Sequence, residues 1–558
     1  MRLRLGGWHN GLLLTRNNQY CGGEMKAVFI VLIFFSGVVI GGTVFTVNSI
    51  GDSPDASLNN NCYTGSTIGG QPECTLRAAI QESNNTSGAS IDFNITQGCG
   101  ANNICTINID TQTAALPEIT SQVFIDGLTQ PGNTSLCNLY IPNRSSYHVV
   151  IQGDLIASAP GLKLATGSDG SVIKGLNIRS FSNNLEIYNS SNNQIQCNFI
   201  GTDETGMISW SNNWANGIYV SCAAQNNIIG GVSQNHGNLI SGNYSNGILF
   251  KGDVPACPGG NNETKFNSVA GNFIGTLKDG TSDGGNFGSG IAFLGESSGY
   301  SWIGDINGNN SISPNVISEN ATGIRIYFSD NNEILGNFIG TDLTGTEKLG
   351  NTNSGIEIEH GSNNRIGDAD SASYINTIAY NENGVMLTGA LAANNIIERN
   401  SMYGNRNLAI ELIRDNSTNN DGQNPNDTDD ADSGANLLIN SAEILDYQTS
   451  YDEFLMTYIL EITASIDASD TNAAYPLWIT FYSTDVSESM QGRKYLGGQA
   501  IMTPAATHNL LHFYQTSDYD DGMHVAMTVT DANGNTSEMS QPVTIGEFDL
   551  IFVNGFDY

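Results

Sequence analysis

Cys197 to Gly206 reads CNFIGTDETG, and the phrase returns as GNFIGTLKDG from Gly271 to Gly280 and as GNFIGTDLTG from Gly336 to Gly345. Shorter phrases of one style surround these copies: NNIIGG (Asn226 to Gly231), NLISGN (Asn238 to Asn243), NVISEN (Asn315 to Asn320), NEILGN (Asn332 to Asn337) and NNIIERN (Asn394 to Asn400). Each clasps a few aliphatic residues between Asn and Gly.

The apolar runs are too short for helices and rich in Ile, Val and Phe, so they suit strands of roughly three to five residues. Asn and Gly tolerate left-handed backbone at little cost, so a chain punctuated by N-G, G-N and N-N turns after almost every strand. Turning at a period of roughly 20 to 25 residues marks a solenoid, in which each unit buries its apolar edge only against its neighbours. The predicted fold is therefore all-β, a parallel β-helix. Asn has a second use in it, because amides stacked at the strand spacing of about 4.8 Å hydrogen-bond up and down a ladder.

Of 558 residues 64 are Gly and only 13% are charged, a turn-rich composition that fits this reading. The formal net charge is -35. A field of that sign repels phosphates and recruits cations, which argues against nucleic acid and anionic lipid as partners. Met25 and Lys26 precede a mostly apolar run from Ala27 to Ile40, followed by Gly41 and Gly42. That is the pattern of a secretory signal peptide, with residues 1–24 as an upstream extension; the run falls short of the ~20 residues of a membrane span. Removal of Arg2, Arg4, Arg16, Lys26 and Glu24 with the leader takes the charge to about -38.

Outside the leader the cysteines are Cys62, Cys74, Cys99, Cys105, Cys137, Cys197, Cys222 and Cys257, all before residue 260. An even set in an exported chain is expected to form disulfides, and the spacings 62/74 and 99/105 invite local bridges. The remaining connectivity is open.

Thr43 to Val47 is expected as an opening strand. CTLRAAIQESN, Cys74 to Asn84, is the one helix candidate: Leu76, Ala79 and Ile80 share a face while Arg77, Gln81 and Glu82 project elsewhere. A solenoid needs its open end covered, so this helix reads as a cap. With TVNSIGDSPDA before it, and SIDFNI, LPEIT and VFIDGLTQPG after it, CTLRAAIQESN resembles the signature of the CSLREA-type domain. The resemblance runs from about Thr43 to Asn440, with Thr75 and Ala78 in place of the signature's Ser and Glu. It implies a secreted or cell-surface bacterial protein that continues as a right-handed, pectin-lyase-like parallel β-helix.

The chain is thus expected to divide into an extension plus signal peptide (1–42), a cap region (43–119), the β-helix (120–413), an acidic linker (414–438), an antiparallel immunoglobulin-like sandwich (439–546) and a tail (547–558). In the linker, Asp427, Asp429, Asp430 and Asp432 are candidate calcium ligands. No register yields an EF-hand loop, and a solvated linker is the plainer reading. The tail, with its FVNGFDY ending, reads as a sorting signal or a last edge strand.

Parallel β-helices host pectin lyases and polygalacturonases, so catalysis has to be weighed. A lyase needs a basic residue with acidic partners on one face; a hydrolase needs two neighbouring carboxylates. The candidates are Asp203, Asp342 and Arg325. Asp203 and Asp342 sit in equivalent G-T-D turns whose middle copy carries Leu277, which favours a turn role. Trp210, Trp214, Tyr219 and Trp302 are the candidate lining of a binding groove. The expectation is a monomer that binds or adheres to extracellular polysaccharide or a cell surface, or serves as a structural surface protein. The alternative is a polysaccharide lyase or glycoside hydrolase acting on the β-helix face.

Overall fold

A computed structural model describes residues 42–546 apart from 112–113, 134–146, 155–157, 211–215, 234, 256, 305–313, 368–373, 415–419, 453–456, 486–489, 506 and 515–521. The expected signal peptide, Cys137, Trp214 and the whole of the tail therefore lie outside the described residues. No helix among those described is long and apolar enough to cross a membrane.

Three parallel sheets of 11, 10 and 9 strands run side by side, and consecutive strands of the chain visit them in turn. This is a right-handed parallel β-helix. Each sheet contributes one or two inward columns of aliphatic residues in register. In the first sheet Ile195, Ile229, Val269, Ile303, Ile334, Ile366 and Ile397 stack strand on strand. In the second, Ile178, Ile200, Ile240, Ile274, Ile317, Ile339 and Ile378 do the same. All belong to one continuous buried core. Stacked β-branched side chains fit this pleated surface, which is why Ile recurs at the repeat period.

The three corners are held by asparagine. Asn198, Asn238, Asn272, Asn315, Asn337, Asn376 and Asn400 form one ladder, each Nδ2 donating to the next Oδ1 at 2.8 to 3.1 Å. A second ladder runs through Asn243, Asn286, Asn320, Asn351, Asn381 and Asn405. A third contains Asn332, Asn364, Asn395 and Asn436, with Ser301 standing in once. These side chains also take up backbone N–H and C=O groups at the corners, as Asn198 does with Leu176 N–H and Ile173 O.

The thrice-repeated phrase now has a physical reading. Its Asn enters the corner ladder, its Ile enters the core, and the Gly after that Ile takes φ of +92°, +94° and +89° at Gly201, Gly275 and Gly340. The rest of each phrase loops outward and returns through bridges Thr202 to Ser209, Thr276 to Asp283 and Thr341 to Lys348.

The expected cap helix spans Leu76–Asn84, with Thr75 as N-cap accepting from the Ala78 N–H. Leu76, Ala79 and Ile80 are buried, but so are Arg77 and Glu82, which were expected to project away. Arg77 pairs with Asp52 and donates to the carbonyls of Ala114 and Ala115, while Glu82 accepts from the N–H groups of Asn59 and Asn60. The helix thus ties its flanking loops over the end of the coil.

Cys62 pairs with Cys74, Cys99 with Cys105, and Cys222 with Cys257; Cys197 is also disulfide-bonded. The Cys222–Cys257 bridge closes a separation of 35 residues. Replacing both cysteines with Ala is expected to lower stability by about 3 kcal/mol through the freed chain entropy. Denaturant unfolding of the full chain under oxidising conditions checks this, and an unchanged midpoint would refute it.

The C-terminal region has two antiparallel sheets with their own core, as expected of a sandwich. It is also joined directly to the end of the coil. Ile397 N–H donates to Thr536 Oγ1 at the last strand of the first sheet, Met402 and Gly492 exchange backbone bonds at the second, and Leu412 N–H donates to Glu538 at the third. Asn405 extends its ladder to Gln491. The region supplies partners to all three exposed sheet edges, the groups that would otherwise template aggregation.

The stretch 414–438, expected as a solvated linker, is solvated only in part: Asn420, Thr428, Asp429 and Ala431 to Ser433 are exposed, whereas Asp430 and Gly434 to Asn436 are buried. Asn436 continues a corner ladder, and Asp430 is 4% exposed with Oδ1 accepting from the Asn440 N–H. Gln423, Asn424 and Asp429 bond to the last coil or to the sandwich, Asn424 to both.

Candidate functional site

The outer faces of the three sheets differ, and the difference decides where an extended ligand has room. On the second sheet the loops of the repeated phrase fold back over Phe199, Leu239, Phe273 and Val316, which are buried with Tyr147 in a satellite cluster. The first sheet has strands of two or three residues over most of its length, with one outward row through Phe124, Gln194, Ile228, Trp302, Glu333 and Arg365 and a second that is polar at Asp126, Lys174 and Gln196. Strands of the third sheet reach four to six residues over its central part, so they carry two outward rows in register. One row runs Lys163, Glu186, Tyr219, Leu249, Ala292, Arg325, Glu357, Met386, and the other Tyr188, Ser221, Lys251, Leu294, Tyr327, Glu359, Thr388.

Two polar clusters stand on this face. In one, Arg325 lies between two carboxylates of the next strand, Ile356–Glu359: Nη2 is 2.9 Å from Glu359 Oε2 and Nε is 3.6 Å from Glu357 Oε1. The guanidinium also lies 5.7 Å from the Tyr327 ring centroid. Burial pushes the Glu357 carboxyl above its ordinary range; Arg325 opposes the shift and the neighbouring Glu359 adds to it. In the other, Lys163 bridges Glu118 at 2.7 Å and Glu186 at 3.4 Å, with its ammonium 4.6 Å from the Tyr188 ring centroid. The Arg325 and Glu186 strands are four spacings apart, about 19 Å. At the corner between the second and third sheets an open concavity of about 290 Å³ is lined by Lys348, Tyr380, Glu382 and Arg406 among others.

Of the sequence candidates, Arg325 is in this cluster. Asp203 and Asp342 are elsewhere, closing the turns of the repeated loops: Asp203 accepts from Thr205, Met207 and Ile208, and Asp342 from Thr344, Thr346 and Glu347. Although burial works the other way, those hydrogen bonds hold the Asp342 carboxyl below its ordinary range. In the middle copy, where Leu277 replaces the Asp, Asp279 accepts from the N–H groups of Thr281 and Ser282.

The described aromatic candidates do not share a groove. Trp210 packs under the Arg179 guanidinium, 4.3 Å from its ring centroid; Tyr219 stands on the third sheet and Trp302 on the first. Asp427, Asp430 and Asp432 bring carboxylate oxygens within 4.8 Å of one another, whereas Asp429 is not of that group. Glu357 and Glu359 were not singled out in the sequence. Their signal was the alternation in IEIE, Ile356 to Glu359, which places both acids on one outward face.

No protein-family model matches the chain, and no curated protein matches it either. Solved structures similar to it include an alginate lyase from Paenibacillus sp. (13% identity, 59% of this chain and 94% of that one, TM-score 0.27). Others are the enzymatically active domain of bacteriophage CBA120 tailspike protein 2 (9%, 79% and 70%, 0.30) and the catalytic domain of a GH87 alpha-1,3-glucanase in complex with nigerose (12%, 66% and 63%, 0.26). Likeness at this level does not carry activity or substrate across to this chain.

Proposed function

We propose that this is an exported β-helix protein that binds an extended polysaccharide along the outward face of its third sheet, with Arg325, Glu357, Glu359 and Tyr327 at the centre of contact. The observation that carries the reading is the pair of in-register outward rows on the six-residue strands of the coil, with aromatic rings beside charged groups at two places along them and the buried Ser221, Leu249 and Ala292 between. Rings stack on the apolar faces of sugars while fixed charges and hydroxyl-bonding groups set orientation.

A second reading, cleavage of the bound chain, is favoured by one specific feature. Glu357 and Glu359 have unlike surroundings: burial favours the protonated form of Glu357, while Glu359 accepts a charge-assisted bond from Arg325. Two neighbouring carboxylates in unlike surroundings, one of them disposed by burial to hold a proton, are the parts of a glycosidase acid/base pair.

A polysaccharide array scored both for retention and for new reducing or unsaturated ends separates the two. Binding is expected, and Arg325→Ala is expected to weaken it about tenfold, the weight of one charged hydrogen bond. Retention of nothing, or retention indifferent to Arg325→Ala and Tyr327→Ala, would sink the proposal. New chain ends that disappear with Glu357→Gln would establish the second reading.

A further inference from the structure

At the last strand of the third sheet, Ile410–Leu412, the chain leaves the coil with an outward glutamate that no solvent reaches: Glu411 is 0% exposed. Its Oε1 accepts from the N–H groups of Asp421 and Gly422 at 3.1 and 3.0 Å, where the acidic segment returns across the strand. Its Oε2 is buried and has no hydrogen-bond donor. The Asp421 carboxyl lies against that of Glu411, and Asp421 Oδ1 is likewise buried without a donor. Three residues on, the amide of Asn424 spends its Nδ2 on Leu412 O and Glu538 Oε1, leaving Oδ1 as a third buried oxygen with nothing to accept from.

Two carboxylates cannot be buried in contact without a positive charge or a proton between them, since the cost of each bare ion is several kcal/mol. The surroundings deepen the deficit. Glu538 lies close enough to feel both Glu411 and Asp421, and Asp430 feels Asp427, Asp432 and Asp531. Against these acids the described residues place Arg414, whose Nε is 2.7 Å from Asp421 Oδ2 and so serves the other oxygen of that carboxylate.

We propose that a calcium ion bridges Glu411 Oε2 and Asp421 Oδ1, with Asn424 Oδ1 as the neutral oxygen of the same segment, and so locks the acidic stretch between the last coil and the C-terminal region. The ligand set is all oxygen, two anionic and one amide, which selects a hard cation; a loop-borne, irregular arrangement suits calcium better than the octahedral demand of magnesium. Nitrogen and sulfur ligands are missing from it, which argues against zinc. The consequence is mechanical. Glu538 receives both the Leu412 N–H of the coil and the Asn424 N–H of the segment, so an ion that fixes Asp421 and Asn424 also fixes the seat of the capping module.

The Asp427, Asp430 and Asp432 group supplies the internal control. It is a group of three acids with oxygens within 4.8 Å of one another, but Asp430 Oδ1 already accepts from Asn440 N–H and Asp427 accepts from Ala431 N–H, and none of its oxygens is a buried orphan.

Thermal unfolding of the full chain, followed by circular dichroism after stripping with EGTA, is measured with and without calcium at about 1 mM, the range of extracellular calcium modules. Calcium is expected to raise Tm by about 5 °C. Glu411→Gln and Asp421→Asn, each checked for the wild-type spectrum, are expected to remove the rise, and Asp432→Asn to keep it. Calorimetric titration with calcium chloride gives a second readout that holds if a variant is only marginally folded: one site in the wild type and in Asp432→Asn, none in the other two. A rise lost in Asp432→Asn but kept in Glu411→Gln would move the ion to the other group and overturn the assignment. Indifference to calcium and EGTA, with Tm climbing instead as pH falls from about 8 to about 5, would show a shared proton in place of the ion and overturn it equally.

Discussion

Asn272→Asp is expected to destabilise the coil by about 4 kcal/mol or more, although it exchanges one NH₂ group for one oxygen. Asn272 is fully buried in its corner ladder. Its Nδ2 donates to Ile229 O, Ala270 O and Asn315 Oδ1 at 2.9 to 3.0 Å. Its Oδ1 accepts from Asn238 N and Nδ2, both at 3.0 Å. The aspartate keeps the accepting half and reverses the donating half, so three acceptors lose the Asn272 amide and face a carboxylate oxygen, although Asn315 Oδ1 and Ala270 O each keep a backbone N–H. Shape and volume are conserved, so a cavity cannot account for the loss. Asn261→Asp, on an exposed loop whose side-chain oxygen is retained, is the control and should stay within about 0.5 kcal/mol. Denaturant unfolding read by far-ultraviolet circular dichroism makes the comparison. A loss below about 1 kcal/mol at Asn272 would mean that the ladders follow from the coil and do not hold it together.

Gly275→Ala is the second large effect, and it has a backbone cause. Gly275 has φ of +94°, and an added Cβ would overlap the Ser318 carbonyl oxygen and the Asn320 amide of the next coil. The penalty therefore combines about 1–2 kcal/mol for the left-handed conformation with displacement of a neighbouring strand that its own sheet holds in place. We expect a loss of about 4 kcal/mol or failure to accumulate as folded protein. Gly259, with φ of +69° and nothing near its would-be Cβ, isolates the first component. Gly259→Ala should cost about 1 kcal/mol. Equal Tm changes in the two variants would contradict the close-approach argument.

Both effects trace back to one repeated phrase, which is why so much of the architecture was legible in it. Ile at a constant place, Asn before it and Gly after it are local solutions to the same local demand at every coil: a short strand, a corner amide and a left-handed turn. A solenoid contacts mainly its neighbouring coils, so a pattern along the chain is also a pattern in space. For that reason the ladders, the turn role of the Asp203 and Asp342 carboxylates and the capping helix could be argued from residues alone. The near pairs Cys62–Cys74 and Cys99–Cys105 were legible for the same reason.

Relations across coils, and between the coil and its C-terminal module, were beyond the reach of the sequence. Nothing in GIRIYF or IEIEHGS says that Arg325 lands between Glu357 and Glu359, because that depends on the register between strands 34 residues apart at Arg325 and Glu359, and hence on the length of the loop that intervenes. The aromatic candidates looked alike in sequence, but which of the three sheets each would stand on depends on insertions whose paths only the fold determines. The acidic stretch looked like a solvated linker because carboxylates on an exposed chain need no partner. Where the capping module docks on the three sheet edges Asp430 is enclosed and Asp421 half-buried, while Asp429 and Asp432 keep their solvent, and Glu411 and Asp421 are brought together by a tertiary contact that no local rule contains. Sequence by itself determined the coil; tertiary structure alone decided which charges meet, because charges act through space and the chain records only order.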